Sequence, residues 1–152
     1  MKVIRYGADG WGVGEIVVDG DLLLHSELPR EPSNSLLLGS HPLADRLQAY
    51  FAGGSDDFLD VEIDLDDATP FQHAVTAALR AVPYGETVTY GELAALAGHV
   101  GAQRAVGTFC ARNRFGVVVP CHRVVAADGI GPYGSLGSEY KRRLLELERA
   151  AL

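Results

Sequence analysis

The sequence predicts an α/β lobe followed by a mostly α lobe, on three observations. Two aliphatic runs flank a turn dipeptide near residue 20, a glycine-rich break falls at residues 53–54, and threonine capping boxes open helices at Thr69 and Thr89. With 152 residues the chain can build two small lobes, each burying a modest core. The reading places the N-terminal lobe at 1–66, as a small antiparallel sheet plus a helix. The C-terminal lobe, at 67–152, contains a helix-turn-helix.

Each element has a local reason. Glu15 to Val18 and Asp21 to His25 flank Asp19-Gly20, a two-residue hairpin signal between β-branched and aliphatic arms. From His41 to Phe51, the residues Leu43, Ala44, Leu47, Tyr50 and Phe51 recur at helical spacing. Gly53-Gly54-Ser55-Asp56-Asp57 then punctuates the chain, and Leu59, Val61, Ile63 and Leu65 alternate as in a strand. Thr69-Pro70-Phe71-Gln72 combines an N-cap, a proline at the first helical position and a box-closing glutamine. The stripe Phe71, Val75, Ala78, Leu79, Val82 gives that helix a core-facing side, and Pro83-Tyr84-Gly85 ends it. Thr89-Tyr90-Gly91-Glu92 is a second capping box, opening a short helix to about Ala97. A turn at Gly98 to Gly101 and a helix from about Ala102 to Arg112 complete a helix-turn-helix pattern. The last helix, from Ser138 to about Ala150, carries an inward stripe of Tyr140, Leu144, Leu147 and Ala151.

Composition narrows the function. Apolar residues make up 47% and charged residues 22% of the chain, the balance of a soluble globular protein. The longest apolar runs fall far short of the roughly 20 residues of a membrane span, and no secretory leader is read at the start. A cytoplasmic protein without membrane contact is expected. No spacing of zinc ligands occurs, so neither a metal nor any other cofactor is expected. The net charge of −7 hides an asymmetry: residues 1–65 hold four basic and twelve acidic side chains, residues 66–152 nine and eight. A nucleic-acid surface would therefore lie on the second lobe and carry few phosphate contacts.

The chemistry-bearing segment runs from Asn113 to Val125. Asn113 can stop a helix, three valines lead into Pro120, and Pro120 presents Cys121 at a corner with His122 and Arg123 beside it. A free thiol has a pKa of about 8.5, and neighbouring cations such as His122 and Arg123 could lower it. Local sequence alone favours a buried structural cysteine beside a surface histidine. Glu148 stands in the last turn of its helix, where a carboxylate opposes the macrodipole, so it either serves a partner or is an exposed acid like Glu146.

The string Pro120-Cys121-His122-Arg123-Val124, preceded by Arg104-Ala105-Val106-Gly107 and Asn113, resembles the signature of the O6-alkylguanine-DNA alkyltransferases. The similarity runs from about Phe71 to Val125 and resumes at Tyr133 and at Lys141 to Glu148. The resemblance implies single-turnover DNA repair, in which Cys121 irreversibly accepts an alkyl group from O6 of guanine, with O4 of thymine a further candidate donor. His122 would take the thiol proton through water, Glu148 would orient His122, and Asn113 would hold the active-site turn. Tyr90 would donate a proton to N3 of the leaving guanine, and Arg104 would fill the stack after the nucleotide flips out. Val124 and Tyr133 would line the base pocket, with Ser135 a candidate donor to O6. The implied partner is double-stranded DNA carrying O6-alkylguanine, met by a monomer. Arg104, Gly107, Thr108 and Ala111 share one helix face at i, i+3, i+4, i+7, and its small residues allow close approach to a minor groove.

The loop from Tyr133 to Lys141 is one residue longer than the usual family pattern, and Cys110, read as packing, stands where an apolar pocket residue is common. The rival readings are a non-catalytic lesion-binding relative, which would lack a cysteine at the Cys121 position, and a helix-turn-helix regulator, which would carry more base-reading side chains than Gln103 and Arg104. A thiol hydrolase or redox enzyme would leave the Tyr90 and Asn113 matches as coincidence.

Overall fold

The computed structural model describes residues 1–31 and 38–149. Packing divides the chain into two units: Met1–Asp64 with Arg114–Val118, and Leu65–Asn113 with Val119–Leu152.

The first unit is built on an antiparallel sheet of β1 (Lys2–Ala8), β2 (Gly12–Asp19) and β3 (Leu22–Arg30), in that spatial order. Pairings Ile4↔Ile16 and Val18↔Leu23 set the register, and the period-2 pattern buries Ile4, Tyr6, Ala8, Ile16, Val18 and Leu23. The β2–β3 turn is one residue later than its sequence signal. Asp19 pairs with Leu22, so the loop is Gly20-Asp21, with Gly20 taking the left-handed conformation at φ 60°. Helix α1 (Pro42–Phe51) follows, with the His41 ring accepting from the Leu43 N–H at 3.1 Å as its N-cap. It buries the five residues that the spacing singles out, and its last turn joins an aromatic cluster of Trp11, Tyr50, Phe51 and Phe58.

The strand expected from Leu59 to Leu65 is not formed. Only Ile63 bridges to Leu23, through Leu23 N–H to the Glu62 carbonyl and Asp64 N–H to the Leu23 carbonyl, each 2.9 Å. The cause lies just upstream. Asp56 accepts from the Phe58 N–H at 2.9 Å, and Arg46 ties Asp56 and Asp60 together, so Phe58 sits at φ 53°, a conformation no strand admits. Phe58 is thereby buried while Leu59 turns out to solvent, against the expected pattern at that point, whereas Val61 is buried as the pattern has it. Arg114–Val118 packs with the first unit. Ser26 N–H donates to the Arg114 carbonyl at 2.7 Å, and Ser26 Oγ to the Gly116 carbonyl at 3.2 Å.

The second unit is mostly helical. In α2 (Pro70–Arg80) Thr69 and Gln72 exchange both capping-box bonds, at 3.1 and 2.9 Å. A cap of this kind stabilises a helix by about 1 kcal/mol. Val75, Thr76 and Leu79 form its buried side. Strand β4 (Val88–Thr89) leads straight into α3 (Tyr90–Leu96), whose Thr89–Glu92 box is also complete. After a turn with Gly98 and Gly101 at positive φ comes α4 (Gln103–Ala111), which packs on α3 and buries Val106. A short 3-10 helix (Cys121–Arg123) precedes β5 (Val124–Val125), which pairs in parallel with β4 through Val88↔Val124. The final helix α5 (Ser138–Leu147) buries Lys141, Leu144 and Leu145. Its inward stripe thus differs from the expected one: Tyr140 and Leu147 are half-buried, and Ala150 and Ala151 lie outside the described residues. Among the described residues no helix is long and apolar enough to cross a membrane.

Candidate active site

Pro120 stops regular structure, and the chain winds into the 3-10 turn that presents Cys121. The run of valines before it is not extended: Val117 stands at φ 69°, rare for a β-branched residue, and Cys121 N–H bonds back to the Val119 carbonyl at 2.8 Å. Asn113 Nδ2 donates to that same carbonyl at 2.9 Å, and its side chain also hydrogen-bonds the Cys121 thiol. One residue just beyond α4 therefore holds both the backbone and the sulfur of the turn.

Cys121 and His122 are both buried, and His122 is wholly so. His122 Nε2 donates to Glu148 Oε2 at 2.8 Å, which leaves the ring lone pair on Nδ1. Arg123 grips the same carboxylate from two nitrogens, Nε to Oε1 and Nη2 to Oε2, each at 2.9 Å, and spends Nη1 on the Val82 carbonyl at 2.8 Å. Glu148 is the C-cap of α5 and is buried, so neither the surface histidine nor the exposed acid of the local reading holds. Its unfavourable place against the helix dipole is compensated by a fully hydrogen-bonded ion pair.

The electrostatics follow from this packing. Burial would raise the Glu148 carboxyl, but hydrogen bonds from His122 and Arg123 outweigh it and hold the group well below the usual carboxylate range. Burial pushes His122 down against the pull of Glu148, which favours the neutral ring. Burial also pushes the Cys121 thiol well up, with the hydrogen bond to Cys110 adding to it. His122 and Arg123 therefore do not lower the thiol as sequence adjacency suggested, because both are committed to Glu148. The cation facing the sulfurs is Lys141, which the sequence reading did not single out. Lys141 is fully buried, donates to the Pro132 carbonyl at 3.2 Å, and lies 5.7 Å from the centre of the Tyr90 ring. A Cβ on Gly131, which adopts φ 83°, would stand 3.4 Å from both the Lys141 ammonium and the Tyr90 hydroxyl. It is the left-handed backbone at this position, not a lack of space, that calls for glycine.

The other predicted residues divide into two groups. Tyr90 opens α3 and feels the charge of both cysteines; burial, then those thiols, raises its phenol. Tyr133, half-buried and stacked on Tyr140, has its hydroxyl pushed well up by burial and then by Cys121. Val124 is fully buried in β5. Beside Tyr133 an open cavity of about 470 Å³ is lined by Gly131, Pro132, Gly137 and Arg142, but not by Ser135, which is exposed. Arg104, Thr108 and Ala111 form an exposed side of α4, and Gly107 has open space where a side chain would project.

A buried thiol on a tight turn, followed by a neutral histidine oriented by a carboxylate, can deprotonate a sulfur nucleophile at the moment of reaction. The matches to known proteins agree in class. The model of the 6-O-methylguanine DNA methyltransferase DNA-binding domain matches residues 70–150. The chain belongs to this family. It is similar to the methylated-DNA–protein-cysteine methyltransferase of Mycobacterium tuberculosis (50% identity over 107 residues), a match covering 70% of this chain and 63% of that relative, so it spans less than two thirds of the relative's length. Over 97% of its length it resembles a crystal structure of Mycobacterium tuberculosis OGT in complex with DNA, at a TM-score of 0.80 and 37% identity, covering 92% of that chain. The O6-methylguanine-DNA methyltransferase of the archaeon Pyrococcus kodakaraensis matches 96% of this chain and 97% of its own, with a TM-score of 0.70 and 31% identity.

Proposed function

We propose that the chain is a single-turnover DNA-repair methyltransferase that moves an alkyl group from O6 of guanine in double-stranded DNA onto Cys121. One observation carries this reading: the turn that presents Cys121 is held by Asn113, while the adjacent His122 is fixed by Glu148 and Arg123 with its lone pair on Nδ1. His122 is the base, reaching the thiol proton through water, and Glu148 is its positioning residue. Sulfur attacks the alkyl carbon as the bond to O6 breaks, and Tyr90, whose high pKa keeps it protonated, supplies the proton that guanine needs to leave. A thioether is chemically stable, so the reaction ends at one equivalent per chain.

The lobe 67–152 carries both DNA contact and transfer, acting as a cytoplasmic monomer without a cofactor. Its α3–turn–α4 pair is the helix-turn-helix, presenting Gly107, Thr108 and Ala111 to a minor groove while Arg104 fills the gap left by the flipped nucleotide. Val124 and Tyr133 line the base pocket, and Ser135 reaches O6 through the exposed loop. The same attack extends to O4 of thymine. Retention of the cysteine disfavours a lesion-binding protein without catalysis. Intact-protein mass after mixing with a duplex carrying O6-methylguanine tests the reading. One methylene's mass should be gained per chain, mapping to Cys121. Sustained turnover, or binding without a mass change, would refute it.

A further inference from the structure

The sulfur environment contains more than an alkyl acceptor requires. Cys110, in the last turn of α4, and Cys121, at the start of the 3-10 turn, come together so that their thiols hydrogen-bond each other. They differ in access. Cys121 is buried, whereas Cys110 is partly open to solvent. The groups facing the pair are the Lys141 ammonium, the Asn113 side chain and the hydroxyls of Tyr90 and Tyr133. A cation and hydrogen-bond donors around a half-buried thiol are the surroundings in which cysteines react with oxidants.

We propose that Cys110 and Cys121 are a dithiol that closes to a disulfide on oxidation by hydrogen peroxide, a reversible modification that removes the acceptor sulfur. The inference rests on the reading of Cys121 as that acceptor. Cys110, the accessible sulfur, attacks a peroxide oxygen. Its S–O bond forms as the O–O bond breaks, giving a sulfenic acid and, with the thiol proton, one water. Cys121 then attacks the Cys110 sulfur; the S–S bond forms, the S–O bond breaks, and the hydroxide leaves with the Cys121 proton as a second water. Two thiols lose two electrons and the peroxide gains them. The hydrogen bond from Cys121, reinforced by Lys141 against the effect of burial, lowers the Cys110 thiol, so the sulfur that meets the oxidant is also the more acidic one. A thiol reductant attacking the exposed sulfur restores both groups.

The test uses the full chain, reduced and then exposed to hydrogen peroxide, with remaining thiols blocked by N-ethylmaleimide under denaturing conditions. The expected product is a monomer lighter by two hydrogens that yields a Cys110–Cys121 cross-linked peptide, takes up no maleimide and transfers no alkyl group until dithiothreitol is added. Free thiols, a sulfinic acid on Cys121 without a cross-link, or a disulfide between chains would overturn the proposal. Cys110→Ser, compared with its own reduced sample, should keep its transfer at the same peroxide dose; a dithiothreitol-reversible loss as fast as that of the parent would assign the oxidation to Cys121 alone. Transfer by the never-oxidised parent separates the two readings. A cross-link without any such transfer would leave the dithiol standing and the alkyltransferase reading refuted.

Discussion

Two arginines in this molecule grip carboxylates with nearly the same geometry and to different ends. In the first unit Arg46 holds Asp56 through Nε and Nη2 at 2.9 and 2.8 Å, and Asp60 through Nη1 and Nη2 at 3.0 and 2.9 Å. In the second, Arg123 holds Glu148 through two bonds of 2.9 Å. The difference is water. The Arg46 side chain is 33% exposed and that of Asp60 72%, whereas Arg123 is 5% exposed and Glu148 not at all. Bond lengths therefore say little about energetic weight. A solvated pair gains little over its hydrated parts, while a buried one becomes costly as soon as one member is removed. The exposed clamp shapes a loop; the buried one fixes the histidine beside Cys121.

The largest effect should come from Glu148→Gln. It leaves the Arg123 guanidinium buried without its counter-charge and weakens the bond that orients His122. Breaking a buried pair in this way costs about 3–5 kcal/mol, and denaturant unfolding should register it in the second unit. Alkyl transfer by the surviving folded fraction should be slowed as well. A loss below about 1 kcal/mol would show that the buried clamp is no stronger than a solvated pair and would break the comparison.

Acidification should sharpen it. His122 and Glu148 both have folded pKa values below their ordinary ones, so the unfolded chain binds more protons, and stability present at neutral pH is lost as pH falls. Loss begins when unfolded histidine charges, near a pH of about 6.5, and continues as the carboxylate range is crossed. Asp56, lowered chiefly by its hydrogen bond to Arg46, contributes in the same direction but only from its ordinary value of 3.8 downward. Urea midpoints measured between about pH 7 and pH 5 should thus fall for the parent, and fall less for His122→Gln. Equal slopes in both would place the titration outside the buried clamp.

What could be read from sequence follows the range of the interactions. Thr69 with Gln72 and Thr89 with Glu92 are contacts over three residues, and both helices begin where those boxes put them. Cys121, His122 and Asn113 lie within nine residues of one another, and their juxtaposition was visible in the signature. Glu148 stood out by its place against the helix dipole, but its partner was given only by resemblance. Arg123 was seen but given the wrong partner, since its true one is 25 residues away. Lys141 was missed because a charge within a helical stripe reads as solvent-facing; only the loop at Gly131 and Pro132 and the Tyr90 ring make its burial intelligible. The first strand was passed over although Ile4, Tyr6 and Ala8 alternate inward, because alanine is a weak strand signal. The false strand at Leu59 to Leu65 failed for the opposite reason: its alternation was sound, but the Asp56 bond to Phe58 N–H bent the chain first.

The smallest effect should come from Asp60→Asn in the exposed clamp. The substitution keeps the shape of the side chain and its capacity to accept one hydrogen bond, and removes only its charge. Arg46 keeps both bonds to Asp56, its contact with the Phe58 ring at 5.2 Å, and access to water. Asp56 still accepts from the Phe58 N–H, so the left-handed turn that buries Phe58 has no reason to relax. What disappears is the attraction of a largely solvated carboxylate, worth about 0–1 kcal/mol and weakened further by salt. Urea unfolding of the first unit at low and at high salt should therefore show a small loss in the former and less in the latter. A loss of about 3 kcal/mol, insensitive to salt, would mean that Asp60 is desolvated in solution and that the exposed clamp works as the buried one does.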